Sequence, residues 1–155
     1  VSLVLRLSNR GRYAVRALFD LAFHDEGPAQ VRDVAGRQRI PLRFLEQIFQ
    51  SLKRAGLVES KRGPRGGFRL ARSPHDVRLG DVLRAVEGPV TLAPARRRGV
   101  ERPATELREI ADAALADLGR TVERCFDDVT LEDLCARGDE LGLRAKSGGP
   151  ARWTI

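Results

Sequence analysis

Between Lys53 and Arg72 the chain carries seven basic residues, Lys53, Arg54, Lys61, Arg62, Arg65, Arg69 and Arg72, against the single acid Glu59. A concentration of one sign on this scale suits a polyanion. Each Lys or Arg brought to a nucleic-acid phosphate releases condensed counterions, which supplies affinity without regard to sequence. Within the cluster, Arg62-Gly63-Pro64-Arg65-Gly66-Gly67 bends the chain. Its glycines let a backbone approach a sugar-phosphate wall, and Arg62 or Arg65 then reaches a minor groove. Upstream, Arg43, Glu46 and Gln47 offer a different chemistry, with Gln50 on the same polar face. Arg pairs with guanine N7 and O6, Gln with adenine, and Glu accepts from cytosine N4.

These groups need elements to hold them. Ala14, Ala17, Leu18, Leu21 and Ala22 recur every three or four residues, which predicts an amphipathic helix from Ser8 to about Glu26, with Ser8 or Asn9 as its cap and Gly27-Pro28 as its stop. A short second helix follows over Val31 to Gln38, turning Val34 and Ala35 inward. Pro41 opens a third helix to about Ala55, because a first helical turn has no partner for the missing N–H. Phe44, Leu45, Ile48, Phe49 and Leu52 form one face of that helix, read as core rather than base-stacking. Arg43, Glu46, Gln47, Gln50, Lys53 and Arg54 form the other. Gly56 is its left-handed cap. Residues 57–61 and 68–71 alternate like strands around the glycine-rich basic tip, which predicts a hairpin. Helix, short helix, longer helix and basic hairpin are the order of a winged helix-turn-helix.

A fourth helix is predicted over Leu79 to Glu87, then a basic loop over residues 90–102 with Arg96-Arg97-Arg98 at its centre, read as exposed. The longest pattern runs from Pro103 to about Phe126. Leu107, Ala111, Ala114, Leu118, Thr121 and Cys125 alternate four and three apart, an a/d seam of about three heptads that suits a dimer interface. Thr130 and Asp133 make a capping-box variant opening a last helix over Leu131 to Arg137, closed by Gly138. The expected organisation is mainly α with a small β-hairpin. A DNA-binding winged helix-turn-helix domain covers residues 1–89, a basic loop 90–102, a dimerisation helix and short helix 103–138, and a flexible tail 139–155.

Composition narrows the classes. The 155 residues hold 28 Lys+Arg and 21 Asp+Glu, a formal net charge of +7, with 42% hydrophobic and 32% charged residues. That is too apolar for a disordered polycation. No apolar run reaches the roughly 18 residues of a membrane span. The apolar start, Val1 to Leu5, lacks a basic leader, so the expected compartment is the cytoplasm. Two cysteines, Cys125 and Cys135, make neither a disulfide framework nor a four-cysteine metal cage. No nucleophile elbow, phosphate-binding loop or metal-ligand spacing is present, and the Gly63–Gly67 run lacks a Gly-Lys-Ser/Thr ending, so an enzyme is not expected.

Four stretches together resemble the Rrf-two family of bacterial transcriptional regulators: Leu7-Ser8-Asn9-Arg10-Gly11-Arg12-Tyr13-Ala14-Val15, Ile40-Pro41-Leu42-Arg43-Phe44-Leu45-Glu46-Gln47-Ile48, Gly56-Leu57-Val58 and Arg62-Gly63-Pro64-Arg65-Gly66-Gly67-Phe68. The resemblance spans about residues 5–137. It implies a homodimer with paired winged helices, joined through the helix over Pro103 to Phe126 and bound to pseudo-palindromic double-stranded promoter DNA. It also implies that Arg43, Phe44, Glu46 and Gln47 hold recognition-helix positions, and Arg62, Gly63 and Pro64 the wing.

One departure bears on regulation. Cluster-binding members of the family carry three cysteines in the loop before the dimerisation helix, and residues 90–102 contain no Cys and no His. Cys125, Cys135 and the only histidines, His24 and His75, lie elsewhere, so no family-type iron-sulfur cluster, no metal and no cofactor are expected. The resemblance to members without the motif implies that a regulator of this shape can take its signal from a regulatory partner protein or another ligand. Cys125 and Cys135 read as small buried hydrophobes, and the histidines as packing or surface residues. Two alternatives stay open beside the specific regulator. One is an architectural DNA binder without a cognate site; the other is a regulator holding an atypical cluster or sensing redox through Cys125 or Cys135.

Overall fold

Ser8 sets the start of the first helix, α1 (Asn9–His24), its Oγ accepting the Gly11 N–H at 3.2 Å. The computed structural model describes residues 6–93 and 107–143. Ala14, Ala17, Leu18, Leu21 and Ala22 are buried along α1, the stripe that the spacing predicts. α2 (Val31–Gln38) ends at Arg39, which adopts the left-handed region at φ +50, a conformation unusual for a residue with a side chain. The Ile40 N–H closes that turn on the Ala35 carbonyl at 3.0 Å.

α3 (Leu42–Arg54) begins one residue later than expected. Pro41 is its cap rather than its first helical residue, at ψ 126, and its carbonyl receives the N–H groups of Phe44 and Leu45 at 3.1 and 3.0 Å. Leu45, Ile48, Phe49 and Leu52 are fully buried. Burying each contributes about 1.5–3 kcal/mol, so the core holds α3 without help from its outer face. The helix closes at Gly56, φ +69, where the Gly56 N–H reaches the Lys53 carbonyl and the Leu57 N–H the Leu52 carbonyl, each at 3.0 Å. This double closure satisfies two carbonyls that a helix end leaves open.

β1 (Val58–Lys61) and β2 (Gly67–Leu70) form the antiparallel hairpin in the register Val58↔Leu70, Glu59↔Arg69, Ser60↔Phe68 and Lys61↔Gly67. The other edge of β2 is also paired. Ala29 exchanges both backbone hydrogen bonds with Phe68, at 2.9 and 2.8 Å, which ties the hairpin to the chain between α1 and α2. A Cβ on Gly67 would lie 2.4 Å from the Ala29 carbonyl oxygen, so only glycine permits this approach.

A single 3-10 turn at Pro74–Asp76 leads to α4 (Leu79–Glu87), whose Val82 and Leu83 face inward. α5 (Leu107–Asp127) and α6 (Leu131–Glu140) follow. The capping box at the start of α6 is complete: Asp133 Oδ2 accepts the Thr130 N–H at 2.8 Å and Thr130 Oγ1 accepts the Asp133 N–H at 3.2 Å. Gly138 does not close α6. It lies inside the helix, where a Cβ would sit 2.5 Å from the Phe23 ring, and the chain turns instead at Gly142, φ +69. Its glycine serves a close approach to α1 rather than a stop.

Leu131 and Cys135 join α1, α2, α3 and α4 in one hydrophobic core. α5 stands apart from it. Gly119 is its one buried residue, while Leu107 and Leu118 are 87% and 51% exposed. Arg96-Arg97-Arg98, the expected helix start at Pro103 and the tail from Lys146 lie outside the described residues.

Candidate nucleic-acid interface

The α3 surface opposite the core is built from Arg43, Glu46, Gln47 and Gln50, all exposed. None of the four has a hydrogen bond or ion pair among the described residues. Long polar side chains left without internal partners keep their donors and acceptors available for an outside one. Phe44 differs. It is half-buried and meets Tyr13 edge-on, ring centres 5.8 Å apart, packed against the core. Its position supports the first turn of α3 from behind.

Behind that turn lies a layer of contacts that the sequence reading omitted. Arg16 stacks over the Tyr13 ring at 5.6 Å and its guanidinium donates to the Gln38 carbonyl, closing the end of α2. Arg10 donates to Ser51 Oγ of α3 and to the Val86 carbonyl of α4, both at 2.9 Å. Asp20, 1% exposed, accepts Arg37 through both carboxylate oxygens, at 2.5 to 3.2 Å, and Gln38 Nε2 at 2.8 Å. The hydrogen bond to Asp20 raises the Arg37 pKa against the opposing cost of desolvation. An acid placed among the apolar positions of α1 was the one available signal.

The hairpin presents its cations unequally. Arg69 pairs with Glu59 directly across the two strands, at 2.5 Å, which cancels the cluster's one acid and one of its bases. Lys53 Nζ donates to Ser60 Oγ at 2.8 Å, joining the end of α3 to β1. Lys61, Arg62 and Arg65 at the tip, and Arg72 at the root, are exposed and carry no partner among the described residues. Gly63 and Pro64 shape the tip, where the Gly66 N–H closes on the Gly63 carbonyl at 2.9 Å. Arg43, Gln47 and Gln50 on α3 and Lys61, Arg62 and Arg65 on the hairpin are thus left open to solvent, side chains of the kinds that suit base edges and phosphates.

The sulfur and imidazole groups do not converge. Cys125 is exposed on α5, whereas Cys135 is buried in the core, against the expectation of two buried thiols. His24 Nδ1 lies 2.9 Å from the Asp20 carbonyl, and His75 Nδ1 lies 3.0 Å from Glu132 Oε2. Among the described residues no group of three or more His, Cys, Asp and Glu is placed to hold a metal ion. Among them, too, no helix is long and apolar enough to cross a membrane.

Comparison with known proteins agrees with this geometry. A family model named Rrf2, described as an iron-dependent transcriptional regulator, matches residues 7–137. The HTH-type transcriptional regulator IscR of Vibrio parahaemolyticus is 35% identical over 140 residues, covering 90% of this chain and 82% of its own. IscR of Serratia proteamaculans is 34% identical over 151 residues, covering 97% and 91%. Among solved structures, CymR, the global cysteine regulator of B. subtilis, superposes with a TM-score of 0.69 at 32% identity, covering 86% of this chain and 98% of its own. T. potens IscR gives the same TM-score at 31% identity, covering 94% of each. With the family model spanning most of its length and relatives a third identical over most of both chains, the chain belongs to the Rrf2 (Rrf-two) family of transcriptional regulators.

Proposed function

We propose that this regulator acts in the cytoplasm as a homodimer that reads a pseudo-palindromic operator. α3 enters the major groove with Arg43, Glu46, Gln47 and Gln50, while Lys53, Lys61, Arg62 and Arg65 hold the flanking phosphates and minor groove around Gly63 and Pro64. The observation that carries this reading is the partner-free polar face of α3, set on a buried opposite face, together with the partner-free cations of the hairpin that follows it. The exposed seam of α5, with Leu107, Ala111, Ala114, Leu118 and Cys125, supports pairing of two copies. Two-fold pairing sets the half-sites about one helical turn, or a multiple of it, apart.

The family model's description raises an iron group, and the residues do not fit the family's cluster. The loop before α5 has no Cys or His, and the two cysteines and two histidines sit on different helices and turns. The signal therefore comes from a partner protein or another ligand in this reading. Protein purified anaerobically is expected to be colourless, with negligible iron and acid-labile sulfide per chain. Stoichiometric iron and sulfide would overturn the statement.

The DNA reading is tested with a site selected from random duplexes. Gln47→Ala is expected to weaken that site by about 1–3 kcal/mol, the worth of a bidentate base contact, and to leave random DNA nearly unchanged. Arg62→Ala should weaken both and lower the salt slope by about one. Equal losses on both DNAs for both variants reject specific readout. A specificity ratio near unity for the unaltered protein would favour an architectural binder instead.

A further inference from the structure

Two arginines join the recognition helix to the α5 arm through α4. Arg84, in the middle of α4, grips the last residue of α5: its guanidinium meets Asp127 Oδ1 at 2.6 Å and Oδ2 at 3.3 Å, and Asp81 of its own helix at 3.0 Å. The backbone closes the same joint. The Leu79 N–H reaches the Val129 carbonyl at 2.9 Å, the Leu131 N–H the Val77 carbonyl at 3.0 Å, and Arg78 Nη1 the Asp127 carbonyl at 2.7 Å. A Cβ on Gly80 would fall 1.8 Å from Asp127 Oδ1, so α4 meets the end of α5 across a glycine.

The far end of α4 is held just as closely. Ser8 donates to the Glu87 carboxylate at 2.6 Å, and Arg10 takes the Val86 carbonyl with Nε and the buried Ser51 of α3 with Nη2. Ser51 stands one helical turn after Gln47 on α3. α4 is thus bonded at Arg84 to Asp127 of α5 and, two residues on at Val86, to Arg10, which also holds Ser51 of α3. Bidentate arginine contacts fix direction as well as distance.

We infer that Arg84, clamped by Asp127, is a positioning residue that fixes the angle between the recognition helix and the α5 arm, and so selects which half-site spacing the dimer accepts. The inference rests on the homodimer reading above. Angle matters because a lever magnifies it. A tilt of about 6° carried over about 30 Å, the length of a 20-residue helix, moves the far end by about 3 Å, close to the rise of about 3.4 Å per base pair. One loosened joint therefore spans the difference between adjacent spacings. Neither Arg84 nor Asp127 is among the residues assigned to the DNA surface, and both are engaged with each other, so the effect falls on spacing and not on reading a half-site.

The test uses the full chain and duplexes carrying two selected half-sites at centre separations stepped by one base pair, with a single half-site duplex as control. The unaltered protein is expected to prefer one separation by about tenfold or more over its neighbours. Arg84→Gln and Asp127→Asn should each bind the single half-site within about twofold of the unaltered protein, yet lose most of the preference among separations. Arg84→Lys, which keeps charge without the two-pronged grip, should lie between. Thermal melting identifies a variant that merely unfolds, and Asp127→Asn removes the same clamp with little change of shape.

A variant profile that keeps the unaltered preference overturns the inference while the dimer reading stands. So does a uniform loss across all duplexes, the single half-site included, since that marks a support for folding. An unaltered protein that sediments as a monomer and shows no preferred separation overturns both readings together.

Discussion

Asp20 and Arg37 meet at the junction of α1 and α2 with the carboxylate wholly inside and the guanidinium at the rim, the closest contact being 2.5 Å. The arrangement fixes α2 against α1, and α2 in turn sets the entry into α3 through the Arg39–Pro41 turn. Breaking a buried pair by removing one partner costs about 3–5 kcal/mol because a charge is left without compensation. Arg37 is 37% exposed and Gln38 still donates to Asp20, so Arg37→Ala is expected to cost less, about 2 kcal/mol. Urea unfolding checks this through the midpoint at constant slope. An unchanged midpoint would show that water replaces the guanidinium without loss.

Gly67 sits at φ +153 with the Ala29 carbonyl where its Cβ would be. The obstructing atom is backbone, so it has no rotamer through which to retreat. Gly67→Ala is expected to separate Ala29 from Phe68 and cost about 1–3 kcal/mol, the usual range for enforced backbone strain. Amide exchange at Ala29 and Phe68 should rise, and affinity for random DNA should fall as the hairpin cations lose their fixed placement. Exchange rates at both amides equal to those of the unaltered protein would refute the account.

Asp133 accepts both the backbone N–H and the hydroxyl of Thr130, and these bonds, the backbone one foremost, hold its pKa below the ordinary aspartate value. A pKa lowered on folding gives stabilisation that is complete above the unfolded value and lost as pH falls through the folded one. Acidification from about pH 4 downward should therefore erode this part of the stability. Asp133→Asn should flatten the dependence of the urea midpoint on pH in that window. Parallel curves for the two proteins would show that the carboxylate charge is not what the cap uses.

Local signals were enough for much of this fold. α2 and α4 have the predicted bounds because each is framed by residues that act on their own neighbours, Gly88 after α4 among them. Gly56 closes α3 for the same reason, and the outward face of α3 follows from the burial of its opposite stripe. What escaped was non-local. The Ala29–Phe68 pairing joins residues far apart in the chain, and nothing near Ala29 announces a strand. Arg10 finds Ser51 and Val86 across 41 and 76 residues, so its role depends on the packed arrangement of α1, α3 and α4. Gly138 misled because a glycine that admits the Phe23 ring looks, in sequence, like one that ends a helix. The Glu59–Arg69 pair was readable in principle, since the hairpin register sets the two directly opposite.

Cys125 and Cys135 provide a direct test of the α5 seam because only one of them depends on it. Cys135 is 8% exposed within the core, and its access requires the fold to open. Cys125 is exposed on the single chain, at a seam position shared with Leu118 and Ala114. If two seams pair, Cys125 is covered in the dimer and open in the monomer, so its alkylation rate should rise on dilution through the dissociation range. Cys135 should stay slow at every concentration until denaturant is added. Leu118→Glu, which sets a charge into the same seam, should make Cys125 fast at all concentrations while Cys135 remains protected. Rates for Cys125 that are fast and independent of concentration in the unaltered protein would place the dimer contact elsewhere on the chain.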